Sequence, residues 1–124
     1  MDASREIAAL ATALRALESA IVPPPPGSPL GNWRWSVRQK LGRMREAVVN
    51  GAPAGTWDSP AARHALRERG LLLTRASDLA DGVLERADVE AVRTELRRLL
   101  ADAVGYIRLL EAVAAESGAA ASHG

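Results

Sequence analysis

The chain has 124 residues, 48% hydrophobic and 25% charged, with formal net charge +1 and no cysteine. That length and apolar content fit one folded domain and exclude global disorder. The near-zero charge excludes a global field for nucleic acid or anionic membrane, and the missing cysteines exclude disulfides and thiolate metal sites.

The predicted elements are all helices. The first spans about residues 2–22, with Ile7, Leu10, Leu14, Leu17 and Ile21 recurring at three- and four-residue steps. Asp2 and Ser4 are candidate caps, and Glu6 suits the positive first turn. Pro23–Pro26 then end the helix, because proline lacks an N–H and restricts its predecessor. Residues 23–29 read as a stiff, extended linker.

The second helix is predicted over 32–50, with Asn32 as N-cap, Val37, Leu41, Met44 and Val48 inward, and Gly51 as a left-handed C′ residue. A loop, 52–58, carries Pro53, Gly55 and Trp57. Ser59-Pro60 is a strong helix start, serine capping and proline in the first turn. The third helix is predicted over 59–86 with a wide apolar face that includes Leu66, Leu72, Leu73, Leu79, Val83 and Leu84. Gly70 inside it costs about 1 kcal/mol relative to alanine, which suggests a neighbouring backbone or tryptophan packed there.

Asp88 caps the fourth helix, 88–116. Its seam is the cleanest in the chain: Val89, Val92, Leu96, Leu99, Ala103, Tyr106, Leu110, Val113. Gly118 is the expected stop, leaving 119–124 as a flexible tail of a 1–118 domain. The fold class that follows is all-α, an antiparallel up-down four-helix bundle. No apolar run approaches the ~20 residues of a membrane span, and Met1 leads straight into a charged helix with no secretory pattern. A cytoplasmic address is the expectation, with no membrane partner.

Chemistry-bearing groups are few. The histidines are His64 and His123, too few to build a site. Most acids alternate with arginines at helical spacing, as in Glu90 with Arg93, Arg98 with Asp102 and Arg108 with Glu111. The serines and threonines form no nucleophile–base pattern. No catalytic, cofactor-binding or metal residue is assigned, and no cofactor is expected.

The second helix is the basic one, with Arg34, Arg38, Lys40, Arg43 and Arg45 against Glu46. Arg34, Arg38 and Arg45 fall near one helical line. Trp33 and Trp35 flank them, two residues apart and so on opposite sides. With Trp57, these residues form the candidate interaction surface: Trp33, Arg34, Trp35, Arg38, Arg45, Trp57. The alternative for the tryptophans is that they plug one end of the bundle against the prolines.

"NWRWSVRQKLGRMREAV", a loop with Gly and Trp, then "ALRERGLLLTRASDLADGVLE" resembles actinobacterial hemerythrin-like (HHE-type) bundle proteins over roughly residues 10–115. The resemblance implies a four-helix fold holding non-haem iron through histidines and carboxylates. The implied ligand positions fall near Asn50 and Gly51 and near Glu68, Arg69 and Gly70. Histidine is missing from both, and only Glu68 matches in kind, so no ligand carries over.

Three readings stay open. The first is a non-catalytic binding or regulatory module, possessing a protein partner or self-associating as a dimer. The second is an oxygen-handling metal bundle using carboxylates alone, Glu68, Asp78, Glu95 and Asp102. The third is a nucleic-acid-associated protein using the basic helix, against which the small net charge argues.

Overall fold

The computed structural model describes residues 3–51, 59–86 and 88–123, with side chains described between Arg5 and Ala115. Every regular element among them is helical: α1 (Ala3–Ser19), α2 (Leu30–Asn50), α3 (Pro60–Asp78), a π-helical turn (Leu79–Val83), α4 (Leu84–Arg86) and α5 (Val89–His123). α3, the π turn and α4 are one continuous arm, so four helical arms make the fold. α1 packs on α2 and α5, α2 also packs on the third arm, and α3 packs on α5. No helix of the described residues is long and apolar enough to cross a membrane.

The seams close as their spacing requires. Val37, Leu41, Met44 and Val48 of α2 are buried, as are Leu10, Leu14 and Leu17 of α1. On α5, Val92, Leu96, Leu99, Ala103, Tyr106, Leu110 and Val113 are buried, and Val89 is half-buried. The third arm contributes Ala62, Ala65, Leu72, Ala76, Leu79, Ala80 and Leu84, whereas Leu66 is exposed.

The proline run shapes the end of α1 by removing donors. In a continuing helix the carbonyls of Ala20 and Ile21 would accept from residues 24 and 25, and both are proline. Side chains of other helices replace them. Trp33 Nε1 donates to Ala20 O at 3.1 Å, and Arg93 Nε donates to Ile21 O. Two tighter bonds, Ala20 N to Leu17 O and Ile21 N to Glu18 O, close the last turn. After the prolines, Ser28 N bonds Pro25 O at 3.0 Å, with Gly27 at φ +80. Proline then glycine in the middle of that turn is the type II pattern, which requires the left-handed glycine.

Four features differ from the sequence expectation. The first is that α1 ends at Ser19 rather than near residue 22, with Ala20 and Ile21 in a tighter turn because the prolines cannot continue the helix. α2 starts at Leu30, after an extended Pro29 with no side-chain cap, so Asn32 is not the N-cap. The fixed proline φ orients the chain for the helix on its own. Gly51 is not left-handed: at φ −87 its N–H bonds Ala47 O at 2.9 Å. Its glycine is demanded by proximity, since a Cβ there would lie 2.8 Å from Ala47 O and 3.4 Å from Glu6 Cβ. α5 continues past Gly118 to His123, where the sequence predicts a stop. One glycine costs about 1 kcal/mol, and Ala119–Ala121 are the strongest helix formers.

The caps at Ser59 and Asp88 form as expected. Ser59 Oγ accepts from Ala62 N at 3.1 Å, and Asp88 Oδ1 accepts from Ala91 N at 2.8 Å. The third arm is not uniformly α-helical, however. Leu84 N–H reaches Leu79 O five residues back, a π turn that keeps Leu79, Ala80 and Leu84 all buried. Gly70 faces open space, with nothing within 4 Å of an added Cβ, so no backbone or tryptophan packs there.

Candidate functional site

Six residues were singled out by sequence, and the structure gives those it describes different work. Trp33 is half-buried against the core and bonded to Ala20, so it closes the end of α1. Of the two described tryptophans, Trp33 alone packs inward, and its partner is the Ala20 carbonyl rather than the prolines. Trp35, two residues on, is 61% exposed. Arg38 forms an exposed ion pair with Glu85 of α4. Arg34 and Arg45 are half-buried and have no ion pair among the described residues. Trp57 lies outside the described residues, as does its 52–58 loop.

What remains on the outer side of α2 is a strip. Trp35, Gly42 and Val49 recur every seven residues, which places them on one line along the helix. Trp35 and Val49 (49% exposed) bracket Gly42, where an added Cβ would meet nothing within 4 Å. Gly31, four residues before Trp35, extends the strip toward the start of the helix. Beside it runs the second line, Arg34, Arg38 and Arg45, on the edge toward the third arm, where Arg38 meets Glu85. Glu46 is the acid on the strip itself, and Arg43 is exposed next to it. With Arg38 offset by Glu85, the face keeps Arg34, Arg43 and Arg45 against Glu46. Tryptophan and arginine are the residues that most often anchor interfaces.

Asp78, Glu95 and Asp102 line one cleft of about 420 Å³ between the π turn and α5, but Glu68 does not. Arg75 takes Asp102, and Arg98 takes Glu95 at 3.0 Å. Among the described residues no group of three or more His, Cys, Asp or Glu is placed to hold a metal ion. The expected Arg98–Asp102 pair is therefore replaced by pairs across helices and one turn earlier, while Glu90–Arg93 forms as read.

Sequence reasoning missed two features. One is an open, mostly apolar groove of about 470 Å³ between α1 and α5, lined by Leu14, Ile21, Leu100, Val104 and Ile107 among others. Its signal in the sequence is that Leu100, Val104 and Ile107 widen the apolar stripe of α5 beyond the seam. The other is a pair of buried, unpartnered donors, Tyr106 Oη and Arg69 Nε. Burial pushes the Tyr106 hydroxyl above the ordinary tyrosine range, and the Arg69 charge opposes that rise. No family model, curated protein or solved structure matches the chain in the comparisons made.

Proposed function

We propose that this protein is a non-catalytic docking module that binds an acidic protein segment along the outer face of α2. The observation that carries the reading is Trp35, 61% exposed on a helix line kept open by Gly42 and edged by Arg34 and Arg45. A tryptophan in water gains by burying apolar area in a partner, and the adjoining guanidinium groups select carboxylates through charge-assisted bonds. Arg38 contributes only if its exposed pair with Glu85 exchanges, because that pair already offsets its charge.

The arrangement that presents this face is, on our reading, an antiparallel up-down bundle. Support comes from paired positions. Glu6 lies near Gly51 and Ala20 near Trp33, while Arg38 meets Glu85 and Arg69 meets Val49. In both pairs of helices one number rises as the other falls. The likeness to hemerythrin-like bundles extends in this proposal to architecture alone, since the acids gathered in the one cleft are held by arginines.

The test is selection from a displayed random peptide library by the full chain. Enriched peptides should be acidic with an apolar anchor, and should lose binding to Trp35→Ala and to the Arg34→Ala, Arg45→Ala double variant. Peptides with no acidic bias, or equal binding to those variants, would contradict the proposal. Tight capture of duplex DNA in their place would favour the nucleic-acid reading.

A further inference from the structure

α5 carries two apolar stripes. One is the buried seam from Val92 to Val113. The other is Leu100, Val104 and Ile107, at four- and three-residue steps, which lines the open groove of about 470 Å³ against α1. Val104 is 44% exposed there, and Leu100 and Ile107 are half-buried. Gly105, beside Val104, faces open space, since an added Cβ would meet nothing within 4 Å. Bare backbone at that point of an exposed helix admits the close approach of another helix.

The second stripe ends in charge, and its two ends differ in sign. Arg97 lies seven residues before Val104 and Glu111 seven residues after it, so the three fall on one line of the helix. Both charged side chains are exposed. Neither has an ion pair among the described residues, and the Arg108–Glu111 pair expected from spacing does not form. On the α1 side of the groove, Arg15 and Glu18 are of opposite sign and offset each other.

A strip that reads positive, apolar, negative is its own complement when reversed. When a second copy is turned end over end about a two-fold axis at Val104, each Val104 meets the partner's Val104. Leu100 then comes level with the partner's Ile107 to within one residue, about 1.5 Å. Arg97 meets the partner's Glu111, and the symmetry makes that contact twice. A parallel pairing would set Arg97 against the partner's Arg97 and is repelled. We propose that the groove between α1 and α5 is a homodimer interface. In it α5 packs antiparallel on the α5 of a second copy, with Val104 on the axis and Arg97 paired with the partner's Glu111. This surface uses helices other than α2 and is independent of the docking face that carries Trp35.

The test is sedimentation equilibrium of the full chain across the micromolar range. Wild type should fit a dimer in exchange with monomer. Arg97→Glu sets like charges together at both ends and should raise the dimer dissociation constant at least about tenfold, as should Glu111→Arg. Both reversals in one chain rebuild the two pairs with their signs exchanged, and should return the constant to within about threefold of wild type. Val104→Glu, on the axis, should leave monomer alone. All three positions are exposed, so helicity by circular dichroism should match wild type in every variant. Monomer throughout the range for wild type, or a dimer indifferent to Arg97→Glu, would overturn the proposal. So would a double reversal that associates no better than either single one.

Discussion

The indole N–H of Trp33 donates to the carbonyl of Ala20 at 3.1 Å, tying the start of α2 to the end of α1. The bond exists because Pro24 cannot supply the N–H that a continuing helix would. Trp33→Phe keeps most of the ring but leaves that carbonyl without its donor. Chemical denaturation should show a loss of about 1–3 kcal/mol. Trp35→Phe, on the exposed side, should stay within about 0.5 kcal/mol of wild type.

Two glycines should respond in opposite ways to alanine. Gly70 faces open space in α3, so Gly70→Ala should stabilise by about 1 kcal/mol through helix propensity alone. Gly51→Ala would push a Cβ against Ala47 O at 2.8 Å, with α1 behind it. It should destabilise by roughly 1–3 kcal/mol, the usual range for overpacking. Thermal melts of the two variants check both signs.

The Arg38–Glu85 pair joins helices, but both side chains are substantially exposed, 40% and 54%. A double-mutant cycle should give a coupling of about 0.2–1 kcal/mol, shrinking at ~1 M salt. Coupling that is larger and unaffected by salt would mean the pair is buried in solution.

Tyr106 gives the stability an alkaline limit. Its native pKa is raised above the ordinary 10.0 by burial, so the folded state holds its proton while the unfolded state releases it. The contribution is complete below the ordinary tyrosine value and is lost as pH rises from there through the raised native value. Unfolding free energy measured between neutral and strongly alkaline pH should fall more steeply in wild type than in Tyr106→Phe.

The core was readable because burial follows helical period. Leu41, Met44 and Val48, or Leu96, Leu99 and Ala103, are set by spacing within one helix, and all are buried. Leu66 had the right residue type, but it is exposed because the inward positions of that turn belong to Ala62 and Ala65. The site was less legible because its residues are sorted by contacts between helices. Trp33 and Trp35 look alike in sequence. The helical period turns Trp33 inward, since it lies four residues before the buried Val37. Its bond to the Ala20 carbonyl depends on Pro24 having removed that carbonyl's donor, and a proline run directly after a helix was the available clue. Arg38 likewise reads as one of three aligned arginines until Glu85, 47 residues away, is seen to meet it.

The central claim is that the Trp35 face of α2 binds an acidic segment. The most direct measurement is a titration of a fluorescent acidic peptide, chosen by the library selection, against wild type, Trp35→Ala and the Arg34→Ala, Arg45→Ala double variant. The account predicts about a thirtyfold loss for Trp35→Ala, the effect of a ~2 kcal/mol anchor. It also predicts weaker, less salt-sensitive binding for the arginine variant, with melting curves of both variants close to wild type. Unchanged affinity in both folded variants would contradict it.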